Sequence, residues 1–190
     1  NIEKINDTRL IKISDVKNSK LKIGFLSSDI IDGHSITYFL KTVLENYDKE
    51  KFEICLILNQ KKEDLYTDIF KNLVDKSLNI RNFSDTEAIN TVRKLNLDIV
   101  VDLMGMTSGN RPSLFKNRIS RIQINWLGYC NTSGLKNMDF IITDQNLIYS
   151  DEQRLYSEKI IYMDKIWNCH CGFDYKRKKT ELPSFKNKYF

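Results

Sequence analysis

From Leu21 onward, short apolar runs alternate with amphipathic stretches, and this alternation constrains the fold more than any other feature of the chain. Leu21-Lys22-Ile23-Gly24-Phe25-Leu26-Ser27 reads as a strand. After a Gly-bearing loop, Ile36, Phe39, Leu40, Val43 and Leu44 fall on one stripe of a helix predicted over 35–47. A second strand over 52–58 is nearly continuously apolar at its end, and Leu65, Ile69, Leu73 and Val74 place a helix within 62–75. A short strand over 78–80 precedes Ser84-Asp85-Thr86-Glu87, a capping box whose serine hydroxyl and glutamate carboxylate satisfy amides left open at a helix start. The helix over 85–95 leads into a strand over 97–103, apolar at its centre and acidic at its ends. Further strands are expected near 122–126, 140–143 and 160–163.

Strands separated by helices and joined by short loops predict an α/β fold with a doubly wound, mostly parallel sheet. Right-handed crossovers then place helices on both faces. The 190 residues suffice for one domain, and 41% hydrophobic residues suffice for its core, which argues against disorder. No apolar run approaches the roughly 18 residues of a membrane span. No repeat or low-complexity tract interrupts the chain, so the simplest partition is a lead-in over 1–20, one domain over 21–181 and a linker over 182–190. The first residue is Asn1 rather than Met, and no signal-peptide pattern follows, so the start reads as a cut edge.

Four cysteines at 55, 130, 169 and 171 lack a disulfide framework and suit a reducing, cytoplasmic setting. Cys169-His170-Cys171 has no second ligand pair to complete a zinc site, so no metal is expected there. The net charge of +5 reads mainly as surface lysine. The basic run Lys176-Arg177-Lys178-Lys179 is compatible with phosphate, RNA or membrane contact, but no aromatic residues interleave with it, and a solvated loop is the plainer reading. Neither a nucleic-acid nor a membrane partner is expected.

In an open parallel sheet, ligands sit beyond the carboxyl ends of the strands, so the loops there carry the candidates. Ser27-Ser28-Asp29 follows the first strand, and Gly33-His34-Ser35 stands at a helix start, where amides favour an anion. His34 fits a base, a hydrogen-bond donor, a phosphate contact or an ordinary helix-start residue. The loop from Asp102 to Arg111 carries two glycines and two hydroxyls, yet matches neither a dinucleotide fingerprint nor a P-loop. The loop from Trp126 to Gly134 suits docking of a sugar or nucleotide, and equally a tight turn.

These segments, taken in order, resemble the catalytic region of the protein O-GlcNAc transferase family, the SPINDLY-related glycosyltransferases. The resemblance rests on Ile23-Gly24-Phe25-Leu26-Ser27-Ser28-Asp29, His34-Ser35, Asp98 to Leu103 with Gly105 and Thr107, Trp126-Leu127-Gly128-Tyr129, Thr132-Ser133-Gly134, the run from Asp139 to Asp144, and Tyr156-Ser157-Glu158-Lys159. It implies the N-terminal Rossmann-like lobe of a two-lobed GT-B enzyme. Such an enzyme transfers N-acetylglucosamine from UDP-GlcNAc to Ser/Thr of proteins with inversion and without a metal or other cofactor. It further implies tetratricopeptide repeats ahead of the lobe and a second, donor-binding lobe after it, so this chain alone is expected to be inactive. A relative using GDP-fucose or an asparagine acceptor, or a non-catalytic interaction lobe, is the alternative. By position, His34 matches a catalytic histidine, Thr107, Leu127, Gly128 and Tyr129 match substrate-binding segments, and Asp98 and Asp102 match strand positions. The chain departs from the family pattern at Met106, at Cys130 and in an insertion between Asp29 and His34.

Overall fold

The computed structural model describes residues 20–170, 172 and 181–188. The lead-in up to residue 19, Cys171 and the basic run Lys176-Arg177-Lys178-Lys179 lie outside the described residues. Among the described residues, seven strands form where the apolar runs lie: β1 (Leu21–Ser27), β2 (Phe52–Leu58), β3 (Lys76–Asn79), β4 (Ile99–Asp102), β5 (Ile122–Asn125), β6 (Phe140–Thr143) and β7 (Lys159–Tyr162). They make one sheet in the order β3-β2-β1-β4-β5-β6-β7, and every neighbouring pair is parallel. The expected doubly wound sheet is therefore present, parallel throughout. The chain first moves outward from β1 to β3 and then returns to lay β4 on the other side of β1. That reversal opens a crevice at the carboxyl ends of β1 and β4.

Two apolar layers hold the sheet between its helices. On one face Phe25, Leu56 and Val101 pack with Ile36, Leu40 and Leu44 of α1 (Ser35–Asn46) and Phe70 of α2 (Leu65–Leu73). On the other, Leu26, Ile57 and Val100 pack with Ala88 and Val92 of α3 (Asp85–Lys94) and with Leu114 and Phe115 of α4 (Pro112–Lys116). Alternate residues of each strand serve opposite layers, as the two-residue period of a strand requires. Each fully buried leucine or phenylalanine contributes about 2 kcal/mol.

The helix starts follow local chemistry. The Ser84–Glu87 capping box forms as read, with the Ser84 N–H donating to Glu87 Oε2 at 2.8 Å. The second helix begins later than its apolar periodicity suggests, because Asp64 caps it: its Oδ1 accepts the Thr67 N–H at 3.0 Å, and the Thr67 hydroxyl accepts the Asp64 N–H. Two short helices escape periodicity altogether, α4 with Pro112 in its first turn and a 3-10 helix over Ser150–Leu155. The segment expected as a linker carries α5 (Pro183–Asn187), with Leu182 and Phe185 exposed.

Between β5 and β6 a polar clasp stands where a helix would. Arg118 grips Asp139 with its two terminal guanidinium nitrogens, at 2.9 and 2.7 Å, and Asp139 Oδ2 also accepts the Gln123 N–H at 2.8 Å. The segment after β7 folds back across α1: the Trp126 indole donates to the Trp167 carbonyl at 2.8 Å, His170 stacks on Tyr38, and Cys169 donates its thiol proton to the Phe39 carbonyl. His170 thus packs against two aromatic rings of α1, Tyr38 and Phe39.

Candidate functional site

A cavity of about 260 Å³ lies at the reversal between β1 and β4. Its wall comes from three loops: Asp29, His34 and Ser35 from the loop after β1 and the first turn of α1, Leu103, Thr107 and Ser108 after β4, and Gly128 after β5. One further wall residue, Ile36, belongs to α1.

The loop carrying Asp29 and His34 is pinned from below. The side chain of Gln60 brackets Ile30, accepting its N–H at 3.1 Å and donating to its carbonyl at 3.2 Å. The hydroxyl of Thr67 donates to the same carbonyl, and that of Thr37 to the Ile31 carbonyl, both at 2.7 Å. Asp64, besides capping α2, accepts the Asp32 N–H at 2.7 Å. The segment between Asp29 and His34 is therefore held on both sides by side chains of α1 and α2.

His34 is the N-cap of α1, with extended backbone and its Nδ1 accepting the Ile36 N–H at 3.3 Å. An imidazole nitrogen that accepts a hydrogen bond carries no proton, so the neutral ring holds its proton on Nε2. In this arrangement the ring offers the cavity a donor. Asp29 supplies the opposite polarity: its Oδ1 accepts the Ser28 hydroxyl at 2.9 Å, and its N–H donates to Ser27 Oγ at 3.0 Å. Thr107 turns its own hydroxyl back to the Met104 carbonyl at 2.7 Å, closing the start of its loop. No lysine or arginine lines the cavity among the described residues.

Two glycines key the β4 and β5 loops together. A Cβ on Gly128 would meet the Leu103 carbonyl oxygen at 1.8 Å, and a Cβ on Gly105, whose φ is +56°, would meet Cβ of Tyr129 at 2.3 Å. Only glycine permits either approach. Leu127, with φ of +78°, is the residue that turns this loop.

The residues proposed from sequence separate into four groups. His34, Thr107 and Gly128 come together around the cavity. Leu127 and Tyr129 do not line it: Leu127 is buried in the layer facing α1, and Tyr129 packs beneath Gly105. Both shape the loop that presents Gly128. Asp98 lies at the opposite edge of the sheet, just before β4, where it accepts the Lys22 N–H at 2.9 Å and approaches Arg121 at 3.7 Å. That placement follows from direction, because a residue entering a parallel strand stands a strand length away from the carboxyl ends where the cavity lies. Asp102 ends β4 and is buried beneath the cavity loop, accepting the Met104 N–H at 3.0 Å. Burial pushes its carboxyl up to about 7, against the opposing pull of the Met104 and Gly105 amides. Met106 and Cys130, the positions at which the sequence leads one to expect a departure from the family pattern, are exposed loop residues outside the cavity wall.

Asp29, Ser35 and Ser108 were not singled out by the sequence, although the loops that hold them were. The rule that ligands gather at carboxyl strand ends located those loops, while the spacing of residues gave no means of choosing which side chain turns inward.

Comparison with known proteins places this site in context. A "probable UDP-N-acetylglucosamine--peptide N-acetylglucosaminyltransferase SPINDLY" of Oryza sativa subsp. japonica is 29% identical over 159 residues, 82% of this chain and 17% of that protein. A similarly described SEC protein of Arabidopsis thaliana is 25% identical over 166 residues, 86% of this chain and 16% of that protein. The chain thus spans about a sixth of the length of these relatives. Among solved structures, a mutant O-GlcNAc transferase of Thermobaculum terrenum superposes with a TM-score of 0.76 at 29% identity, over 80% of this chain and 29% of that one. The family description "Glycosyl transferase family 41" matches residues 4–176, a stretch that contains every strand, the crevice and all of its wall, and the chain belongs to that family.

Proposed function

We propose that this chain forms the N-terminal catalytic lobe of a glycosyltransferase that moves N-acetylglucosamine from UDP-GlcNAc to Ser/Thr hydroxyls of proteins. The observation that carries the reading is the make-up of the cavity: an imidazole, a carboxylate and hydroxyls meet there with no cationic side chain among the described residues. Such a wall suits the hydroxyls of a sugar or of an acceptor side chain rather than a diphosphate. The departing UDP then takes its cationic and amide donors from a second lobe facing this one.

In the transfer, the acceptor oxygen forms a bond to the anomeric carbon as the bond from that carbon to the diphosphate oxygen breaks. Attack from the face opposite the diphosphate inverts the anomeric centre. The acceptor hydroxyl gives its proton to the Asp29 carboxylate of the cavity wall, and the leaving oxygen takes the electron pair of the broken bond, so the step balances without a metal or other cofactor. His34, with its proton on Nε2, orients an oxygen of acceptor or sugar. Asp29 is placed to accept a hydroxyl proton in a hydrogen bond. Protein acceptors recruited by tetratricopeptide repeats, in a cytoplasmic setting, complete the proposal.

The test is to incubate the full-length protein with UDP-GlcNAc and a protein acceptor and to read the modified residue and its anomer by mass spectrometry and NMR. Transfer with inversion from UDP-GlcNAc is expected, and none from residues 1–190 alone. Transfer only from GDP-fucose, or neither binding nor transfer, overturns it.

A further inference from the structure

A row of four side chains crosses the carboxyl end of the sheet. Leu26 of β1, Asp102 of β4, Asn125 of β5 and Ile141 of β6 are successive partners in parallel register, so their side chains share one face. Asp102 and Asn125 are buried, with 3% and 0% of their surface exposed, between two apolar neighbours. The Asn125 Nδ2 donates to the Asn131 carbonyl at 3.2 Å, but its buried Oδ1 has no hydrogen-bond partner among the described residues. Turning the amide over does not help, because Oδ1 would then face the Asn131 carbonyl. A buried carbonyl oxygen without a donor is costly, and native structures avoid it.

Within the row a donor has one source, since Leu26 and Ile141 carry none. We propose that Asp102 is held as a neutral carboxylic acid and donates its proton to Asn125 Oδ1, making Asp102 a positioning residue of the cavity. One carboxyl oxygen accepts the Met104 N–H at 3.0 Å, and the other carries the proton. The resulting chain runs from the loop after β4, through Asp102 and Asn125, to Asn131 in the loop after β5. Those two loops supply Thr107, Ser108 and Gly128 to the cavity. The inference does not depend on which reaction the protein performs.

Its electrostatic surroundings agree. Burial is the largest cause of the raised Asp102 value, about 7, and the Met104 and Gly105 amides oppose it. Charged groups on the neighbouring elements are engaged elsewhere: Arg111 of the β4 loop with Asp85 of α3 and the Ile80 carbonyl, and Arg93 of α3 with the Asn117 and Arg118 carbonyls. β1 and β5 place no charge in the row, as its members show.

Infrared spectroscopy of the 190-residue chain reads the protonation directly. At pH 6 a carboxylic-acid carbonyl band that Asp102→Asn removes is expected, fading as pH rises through about 7. Asn125→Leu should move that band to higher frequency, because its hydrogen-bond acceptor is gone. Carbon NMR of the unsubstituted chain needs no variant: the Asp102 carboxyl and Asn125 amide carbonyl signals should shift together over the same pH range. The proposal fails if the band is absent at pH 6, if it is unmoved by Asn125→Leu in a folded variant, or if only one of the two carbons responds.

Discussion

The carboxylate of Glu158 closes around Ser133. One oxygen accepts the Ser133 N–H at 2.7 Å together with the Ser133 hydroxyl, and the other accepts the Thr132 hydroxyl at 2.7 Å and that of Ser157 at 3.1 Å. Glu158 is 1% exposed and stands immediately before β7, so this clasp ties the last strand to the loop that follows β5. Removing the carboxylate with Glu158→Ala leaves buried donors unmatched and should cost about 3 kcal/mol in urea unfolding at pH 7. A loss below about 0.5 kcal/mol would contradict the clasp.

The same residue sets an acid limit. Burial alone would raise the Glu158 carboxyl, but the hydroxyls of Ser133 and Thr132 and the Ser133 amide hold it below its ordinary value of 4.5. Its contribution is present in full above that value and is lost as pH falls through the lower folded one. Acid unfolding of Glu158→Gln, compared with the unsubstituted chain, should therefore show a weaker dependence on pH below about 4.5.

Asp102 acts with the opposite sign. Its folded value, about 7, lies above the ordinary 3.8, so the folded state keeps a proton that the unfolded chain has released between those values. Stability falls as pH rises across that window, by about 1 kcal/mol per pH unit, and levels above it. In Asp102→Asn this dependence should vanish, which urea midpoints at pH 5 and pH 8 would reveal.

For His34 the two tasks, capping and donating, come apart by substitution. His34→Ala removes the cap of α1 and should cost about 1 kcal/mol, whereas His34→Asn restores an acceptor and should recover most of it. Both variants should lower transfer by the full-length protein to a similar extent, since asparagine at the cap does not replace Nε2–H. Full activity in the alanine variant would exclude His34 from the reaction.

Asp98→Asn provides a contrast at the far edge of the sheet. It weakens the bonds to the Lys22 amide and Arg121, for about 1 kcal/mol, and should leave transfer unchanged once the protein is folded. A selective loss of turnover would return Asp98 to the site.

Much of the architecture was legible because periodicity and capping are local. The run from Ile54 to Leu58 and the Ser84–Glu87 box both declare their structure within a few residues. Helix α4 was not legible: five residues starting at Pro112 carry too little periodicity, and the burial of Leu114 and Phe115 is decided by distant residues of the sheet face they pack on. The site was legible by loop and not by side chain. His34, Thr107 and Gly128 line the cavity, while Leu127, which turns its loop with a positive φ, is buried in the core. Thr132, Ser133 and Glu158, which helped to carry the family resemblance, prove to be partners in one clasp.

The paired glycines have a consequence for exchange between relatives. Gly128 rests on the Leu103 carbonyl and Gly105 on Tyr129, so each loop is shaped as the mould of the other. A chimera that imports the β4 loop from a distant relative while keeping the native β5 loop should misfit at both points. Grafting the two together preserves the match, which makes the loop pair, and neither loop by itself, the unit in which this crevice can be inherited or redesigned.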